Sequence, residues 1–128
     1  MFEHQPGPHV AVIEDDDLER DALGRLLQAG GFEADLFPSA ETFIASGLGR
    51  SWLCLVIDVN LTGMSGIDLQ RKLRADGSDV PIIIITGKRM EVIREWAQRA
   101  GCLDVLWKPF NADAILTLVA GVADRPAT

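Results

Sequence analysis

The sequence predicts an α/β fold, with five strands in a parallel sheet and helices packed on both faces. Three observations carry this. Strand-like and helix-like segments alternate five times along the 128 residues, which is the pattern of repeated βα units. The segments 53–57 and 82–85 are unbroken apolar runs, as strands covered on both faces require. Helix-ending glycines and helix-capping side chains fall between the segments.

Each element has its own local reason. Residues 9–13 (His-Val-Ala-Val-Ile) are short, apolar and β-branched, so they read as a strand. Over 17–29, Leu18, Ala22 and Leu26, with Leu23 and Leu27 beside them, form a helical stripe that Gly30-Gly31 closes. Residues 32–37 alternate apolar and polar, as in a strand with one face more exposed. Ser39 is an N-cap ahead of Phe43 and Ile44. After the buried strand 53–57, Ser65-Gly66-Ile67-Asp68 matches a capping box opening a helix to about Arg74. Asp76-Gly77-Ser78-Asp79 is a loop before the second buried strand. A helix over 89–100 places Ile93, Ala97 and Ala100 on one face and ends at Gly101. Residues 103–107 are the last strand. Asn111 caps a final helix whose buried face is Ala112, Ile115, Leu116, Val119 and Val122. One domain over 9–123 is expected, with a flexible arm over 1–8 and a short tail over 124–128.

Composition narrows the function classes. Apolar residues make up 48% and charged residues 24%, an ordinary globular balance rather than a disordered one. The net charge is −7, which disfavours a phosphate-backbone binder, since that needs a basic face. No apolar run approaches the ~20 residues of a membrane span. Residues 1–8 lack the basic-then-apolar order of a secretory signal. A soluble, cytoplasmic protein is therefore expected. Cys54 and Cys102 lie far apart, and with His4 and His9 they make no metal-ligand spacing. Both cysteines read as small buried hydrophobes.

The chemistry collects at the ends of the strands. Glu14 and Asp15 follow the first, Asp58 the third, Thr86 and Gly87 the fourth, and Lys108 and Pro109 the fifth. Ligands of open α/β sheets bind outside the carboxyl ends of the strands, where the strand order reverses. If the order is 2-1-3-4-5, all these groups meet on one edge. Glu14, Asp15 and Asp58 then bring three negative charges together against the single positive charge of Lys108. Close like charges cost several kcal/mol per pair, at about 4 kcal/mol for 4 Å in an effective dielectric of 20. A divalent cation removes the deficit, and an all-oxygen donor set suits Mg²⁺. Such an ion can hold a phosphoryl oxygen. Thr86 and the Gly87 N–H can donate to the remaining oxygens, Lys108 can neutralise one, and Asp58 becomes ligand and nucleophile, giving a mixed anhydride. Each residue alone has a plainer reading: helix-dipole acids, with Asp17 at the surface or in a cap, a turn aspartate, a strand-end threonine and a solvated lysine. Those readings require four coincidences on one edge.

The segments Val12-Ile13-Glu14-Asp15, Val56-Ile57-Asp58, Met64-Ser65-Gly66, Ile85-Thr86-Gly87 and Trp107-Lys108-Pro109-Phe110 resemble the receiver domain of a two-component response regulator, over roughly 9–123. The Thr86-Gly87 form with Lys-Pro-Phe later is most similar to receivers of nitrogen-fixation-type transcriptional regulators. The resemblance implies a flavodoxin-like doubly wound (βα)₅ sheet of order 2-1-3-4-5. It implies that Asp58 accepts a phosphoryl group from the phosphohistidine of a histidine kinase. Asp15 and Asp58 would ligate Mg²⁺, Glu14 through water, and the Asn60 carbonyl would complete the protein ligands. Thr86 and Lys108 would contact the phosphoryl group, and the Lys108–Pro109 bond would be cis. Such a domain promotes its own phosphorylation and slow dephosphorylation and is not a turnover enzyme. Asn60 and Lys88 would tune that hydrolysis. The partners implied are the kinase, a downstream effector domain or protein, and a phosphorylation-linked homodimer, with no membrane and no nucleic acid touched by this domain itself. The fourth helix, fifth strand and fifth helix would form the output face.

Two positions depart from the receiver pattern. Thr62 stands where a proline is usual in the loop after the acceptor, and the departure predicts a more mobile loop. Val105 stands where an aromatic residue usually swings inward when the threonine moves, and valine has one stiff torsion and no polar tip. Trp107, two residues on, faces the same side of the strand and is expected to take over part of the output surface. Trp52, Trp96 and Trp107 otherwise read as packing, with Trp96, Arg89 and Arg94 as a candidate partner face. Three other functions compete. An aspartyl-phosphate hydrolase needs a second aspartate where Asn60 stands, and the amide cannot give up a proton. A flavin phosphate would be repelled by Glu14-Asp15-Asp16-Asp17. A phosphorylation-independent receiver-like interaction module is the remaining alternative, and Val105 is what keeps it open.

Overall fold

A computed structural model describes residues 8–124. The elements run β1 (His9–Ile13), α1 (Asp17–Ala29), β2 (Glu33–Phe37), α2 (Ala40–Gly47), β3 (Cys54–Asp58), α3 (Gly66–Ala75), β4 (Ile82–Thr86), α4 (Glu91–Arg99), β5 (Asp104–Trp107) and α5 (Ala112–Ala123). The strands form one sheet in the order β2-β1-β3-β4-β5, and every pairing is parallel. The order reverses between β1 and β3, as the sequence predicts. Except for Pro8 and Asp124, the expected arm and tail lie outside the described residues.

The alternation of side chains along each strand divides the core in two. Ala11, Ile13, Leu55, Ile57, Ile82 and Ile84 face the layer that holds Phe43, Leu69 and Ala97, on α2, α3 and α4. Val10, Val12, Val56, Ile83 and Ile85 face Leu23 and Leu27 of α1 and Ile115 and Val119 of α5. β3 and β4 are buried along their whole length. β2, at the edge, buries only Phe37.

Predicted caps form. The Ser39 hydroxyl accepts from Thr42 N at 3.0 Å, the Ser65 hydroxyl from Asp68 N at 3.1 Å, and Asn111 Oδ1 from Asp113 N at 2.8 Å. Asp16 caps α1 by accepting from Glu19 N at 2.9 Å. The Asp68 carboxylate faces Arg71 at 3.9 Å, so only the serine half of the expected capping box is in place.

Some buried faces differ from expectation. Leu18 is 83% exposed and Ala22 is exposed too, so the buried face of α1 is Leu23, Gly24 and Leu27. Leu18 sits on the first turn of α1, and apolar spacing alone does not register which positions of the stripe meet the sheet. Ala112, at the start of α5, is exposed too. Cys54 is buried but Cys102 is only partly so. The α4 helix begins at Glu91, which leaves Arg89 in the preceding loop.

Candidate functional site

The acidic edge is built by the strand ends. Glu14 directly follows β1, and its N–H donates to the Phe37 carbonyl at 3.1 Å. Arg20 of α1 holds the Glu14 carbonyl at 3.1 Å and Asp17 at 2.6 Å. Asp58 closes β3, with Val59 N bonded to Ile85 O at 3.0 Å, and Asn60 N donates to Asp58 Oδ1 at 2.9 Å. Gly66 N donates to Val59 O at 3.1 Å, so α3 starts directly against the turn that follows Asp58. A Cβ on Gly66 would lie 2.2 Å from the Asp58 carbonyl oxygen. Only glycine allows that approach.

Lys108, beyond β5, is the hub. Its Nζ lies 2.7 Å from Asp58 Oδ2, 2.9 Å from Glu14 Oε1 and 2.9 Å from Glu19 Oε2. Its backbone N–H donates to Thr86 O at 2.7 Å, which ties the ends of β4 and β5 together. The Lys108–Pro109 bond is cis. One oxygen from each of Glu14, Glu19 and Asp58 lies within 4.8 Å of the others, while Glu14 and Asp58 are buried.

Three carboxylates against one ammonium leave the edge short of positive charge. The Glu14 carboxyl shows it. Burial first, then its contact with Asp58, push its pKa up to about 8, against the opposing pull of Lys108. For Lys108, burial works to lower the pKa, but its bonds to Asp58, Glu14 and Glu19 prevail and hold the ammonium above its ordinary value. An all-oxygen, anionic donor set fits a hard divalent ion such as Mg²⁺.

The other predicted site residues make contacts of their own, and Asp15 stands outside the Glu14–Glu19–Asp58 group. The Asp15 carboxylate turns to the loop after β3, where Oδ2 accepts from Thr62 Oγ1 at 3.0 Å and from Thr62 N at 3.3 Å. Thr86 is buried, and its hydroxyl accepts from Lys88 N at 3.1 Å. Gly87 is exposed beside it. Val105 is buried in the α2–α3–α4 layer. Trp107 is half-buried, with the Arg94 guanidinium 5.3 Å from its ring centroid. Arg94 thus serves Trp107, and Trp96 stands 42% exposed. Trp52 packs edge-on against Phe37.

Sequence reasoning missed Glu19. It lies on the first turn of α1, and its approach to Lys108 depends on how the helix start sits against the end of β5. Glu41 was missed as well. From α2 it accepts from Met64 N at 2.9 Å, which lowers its pKa and clamps the loop that carries Thr62.

The chain matches the response regulator receiver domain family over residues 10–120. It belongs to that family. The transcriptional regulatory protein FixJ of Bradyrhizobium diazoefficiens is 37% identical over 111 residues, covering 87% of this chain and 54% of that protein. FixJ of Azorhizobium caulinodans is 35% identical, covering 92% of this chain and 56% of that protein. The chain thus spans about half the length of these relatives. Among solved structures, FixJ-N superposes with a TM-score of 0.84 at 28% identity, covering 97% of this chain and 99% of that one. The receiver's function is two-component phosphoacceptor signalling. Receivers are signalling domains rather than turnover enzymes. No helix of the described residues is long and apolar enough to cross a membrane.

Proposed function

We propose that Asp58 of this receiver is the phosphoacceptor, with Lys108 and Thr86 as the groups that hold the phosphoryl oxygens. The observation that carries this is the buried Asp58 carboxylate held between Lys108 Nζ at 2.7 Å and Asn60 N at 2.9 Å. Both donors orient the carboxylate without protonating it. An Asp58 oxygen attacks the phosphorus of a kinase phosphohistidine, the P–N bond breaks, and the imidazole leaves with the electron pair. The product is an acyl phosphate on Asp58. Lys108 then exchanges a carboxylate oxygen for a phosphoryl oxygen, and the Gly87 N–H stands open to another.

Mg²⁺, held by Asp15, Asp58 and the Asn60 carbonyl with Glu14 behind water, would neutralise the charge that gathers on the transferring group. Thr86 leaves Lys88 N when its hydroxyl turns toward the phosphoryl group. That movement reaches the α4–β5–α5 face, where Val105 is fixed and Trp107 with Arg94 is the adjustable element. Asn60 and Lys88 border the acceptor and govern how water reaches it. An apolar cleft of about 560 Å³ borders Lys108 and includes Ala22, Leu26 and Phe110, a surface on which the donor kinase can seat. The effector is a domain or protein that reads the output face, and a phosphorylation-linked homodimer would use the same face. The protein works in the cytoplasm, contacts no nucleic acid through this domain, and catalyses only its own phosphorylation and slow dephosphorylation.

The test is intact-mass spectrometry after incubation with acetyl phosphate and Mg²⁺. The wild type gains the mass of one phosphoryl group and Asp58→Asn gains nothing. An unmodified wild type defeats the proposal and leaves the phosphorylation-independent interaction module in its place.

A further inference from the structure

Thr62 places two donors on one oxygen of Asp15. Its hydroxyl and its amide reach Oδ2 at 3.0 and 3.3 Å, and no donor among the described residues reaches Oδ1. Oδ2 thus accepts two hydrogen bonds, as many as its two lone pairs serve. The loop that presents them is held from the other side by Glu41, whose Oε2 accepts from Met64 N at 2.9 Å. Gly63, between the two anchors, takes a φ of +81°, and a Cβ there would meet Glu41 Oε2 at 2.5 Å. The contact is therefore a built one. Position 62 reaches Asp15 from a loop fixed at its next turn, across 47 positions of sequence. A proline at 62 would supply neither the N–H nor the hydroxyl.

We infer that Thr62 is a positioning residue for the metal site, holding Asp15 so that Oδ1 alone is offered to a cation. A carboxylate with one oxygen already spent is a one-oxygen ligand. That suits Mg²⁺, which demands near-octahedral geometry and keeps several waters. It penalises Ca²⁺, which is larger and often takes carboxylates through both oxygens. Thr62 thus contributes to choosing between the two ions as well as to affinity. The inference rests on the proposed reading of Asp15 as a metal ligand.

The test is calorimetric titration of the full chain with MgCl₂ and with CaCl₂, for the wild type, Thr62→Val, Thr62→Ser and Asp15→Asn. Thr62 is exposed, and thermal unfolding confirms that each variant is folded. Thr62→Val is expected to bind Mg²⁺ on the order of tenfold more weakly, the lower end of what loss of a ligand's hydrogen-bonding partner costs. Its Ca²⁺ affinity falls less, so selectivity for Mg²⁺ declines. Thr62→Ser, which keeps the hydroxyl, restores both. Unchanged or tighter Mg²⁺ binding in Thr62→Val, or an unchanged ratio of the two ions, overturns the inference while the receiver reading stands. Full Mg²⁺ affinity in Asp15→Asn overturns it by removing Asp15 from the ligands. A wild type that binds no Mg²⁺ defeats the metal reading and this inference together.

Discussion

Raising the pH in the presence of a chelator destabilises this protein, and replacing Glu14 by glutamine removes the loss. In the unfolded chain Glu14 gives up its proton at the ordinary carboxylate value of 4.5, whereas in the folded protein it keeps it up to about 8. Between those values the native state binds more protons than the unfolded state, so stability falls as pH rises. The extra stability is complete below the lower value and gone above the upper one. At ~1.4 kcal/mol per pKa unit the ceiling is on the order of 4–5 kcal/mol. That is a large part of a single domain's total stability, roughly 5–15 kcal/mol. At ~2.1 cal/mol/K of unfolding entropy per residue, it corresponds to a fall in melting temperature of about 15–20 °C for a chain of this length. The assay is thermal unfolding by circular dichroism at steps across that range, with and without Mg²⁺. The quantity to read is the difference between wild type and Glu14→Gln, which isolates the contribution of Glu14. Wild-type stability minus that of Glu14→Gln falls as pH rises, because only the wild type has Glu14 to ionise. Mg²⁺ favours the ionised cluster and adds its own binding free energy to the native state, so it flattens the wild-type curve. Parallel pH curves for wild type and Glu14→Gln without metal would refute the reasoning.

Other consequences follow from the same contacts. Lys108→Met leaves buried Glu14 and Asp58 facing each other without a cation, at a cost on the order of 3 kcal/mol. In urea unfolding that cost is largest above pH 8 and smaller where Glu14 is protonated. Gly66→Ala forces a methyl group against the Asp58 carbonyl, 2.2 Å away in the present backbone. It costs about 1–3 kcal/mol or more from overpacking and slows phosphoryl uptake, as unfolding curves and acetyl-phosphate time courses will report. In a variant whose single tryptophan is Trp107, beryllofluoride with Mg²⁺ changes the emission as Arg94 and Trp107 rearrange. An unchanged spectrum removes Trp107 from the output surface.

The parts of this molecule legible in its sequence are those with local causes. β3 and β4 announce themselves because a strand covered on both faces has no polar position to interrupt it. Ser39, Ser65 and Asn111 are legible as caps because a short side-chain acceptor beside a helix start has few other uses. Lys108 meets Asp58 because strand ends and sheet order dictate it, not because the two are related along the chain. The burial of α1 is less legible, since the apolar spacing of Leu18, Ala22 and Leu26 does not say which of its positions meet the sheet. Glu19 and the Thr62–Asp15 contact are least legible. Each depends on how a polar side chain turns in the assembled fold, and many rotamers are compatible with the same sequence. Thr62, read from sequence as a source of loop mobility, makes the contacts that tie the loop to Asp15.

The most direct measurement is localisation of the acyl phosphate. The protein is treated with acetyl phosphate and Mg²⁺, reduced with borohydride, which converts an aspartyl phosphate to homoserine, and mapped by peptide sequencing. Homoserine at position 58 and nowhere else is the predicted result. Homoserine at another aspartate, or at none, would contradict the account.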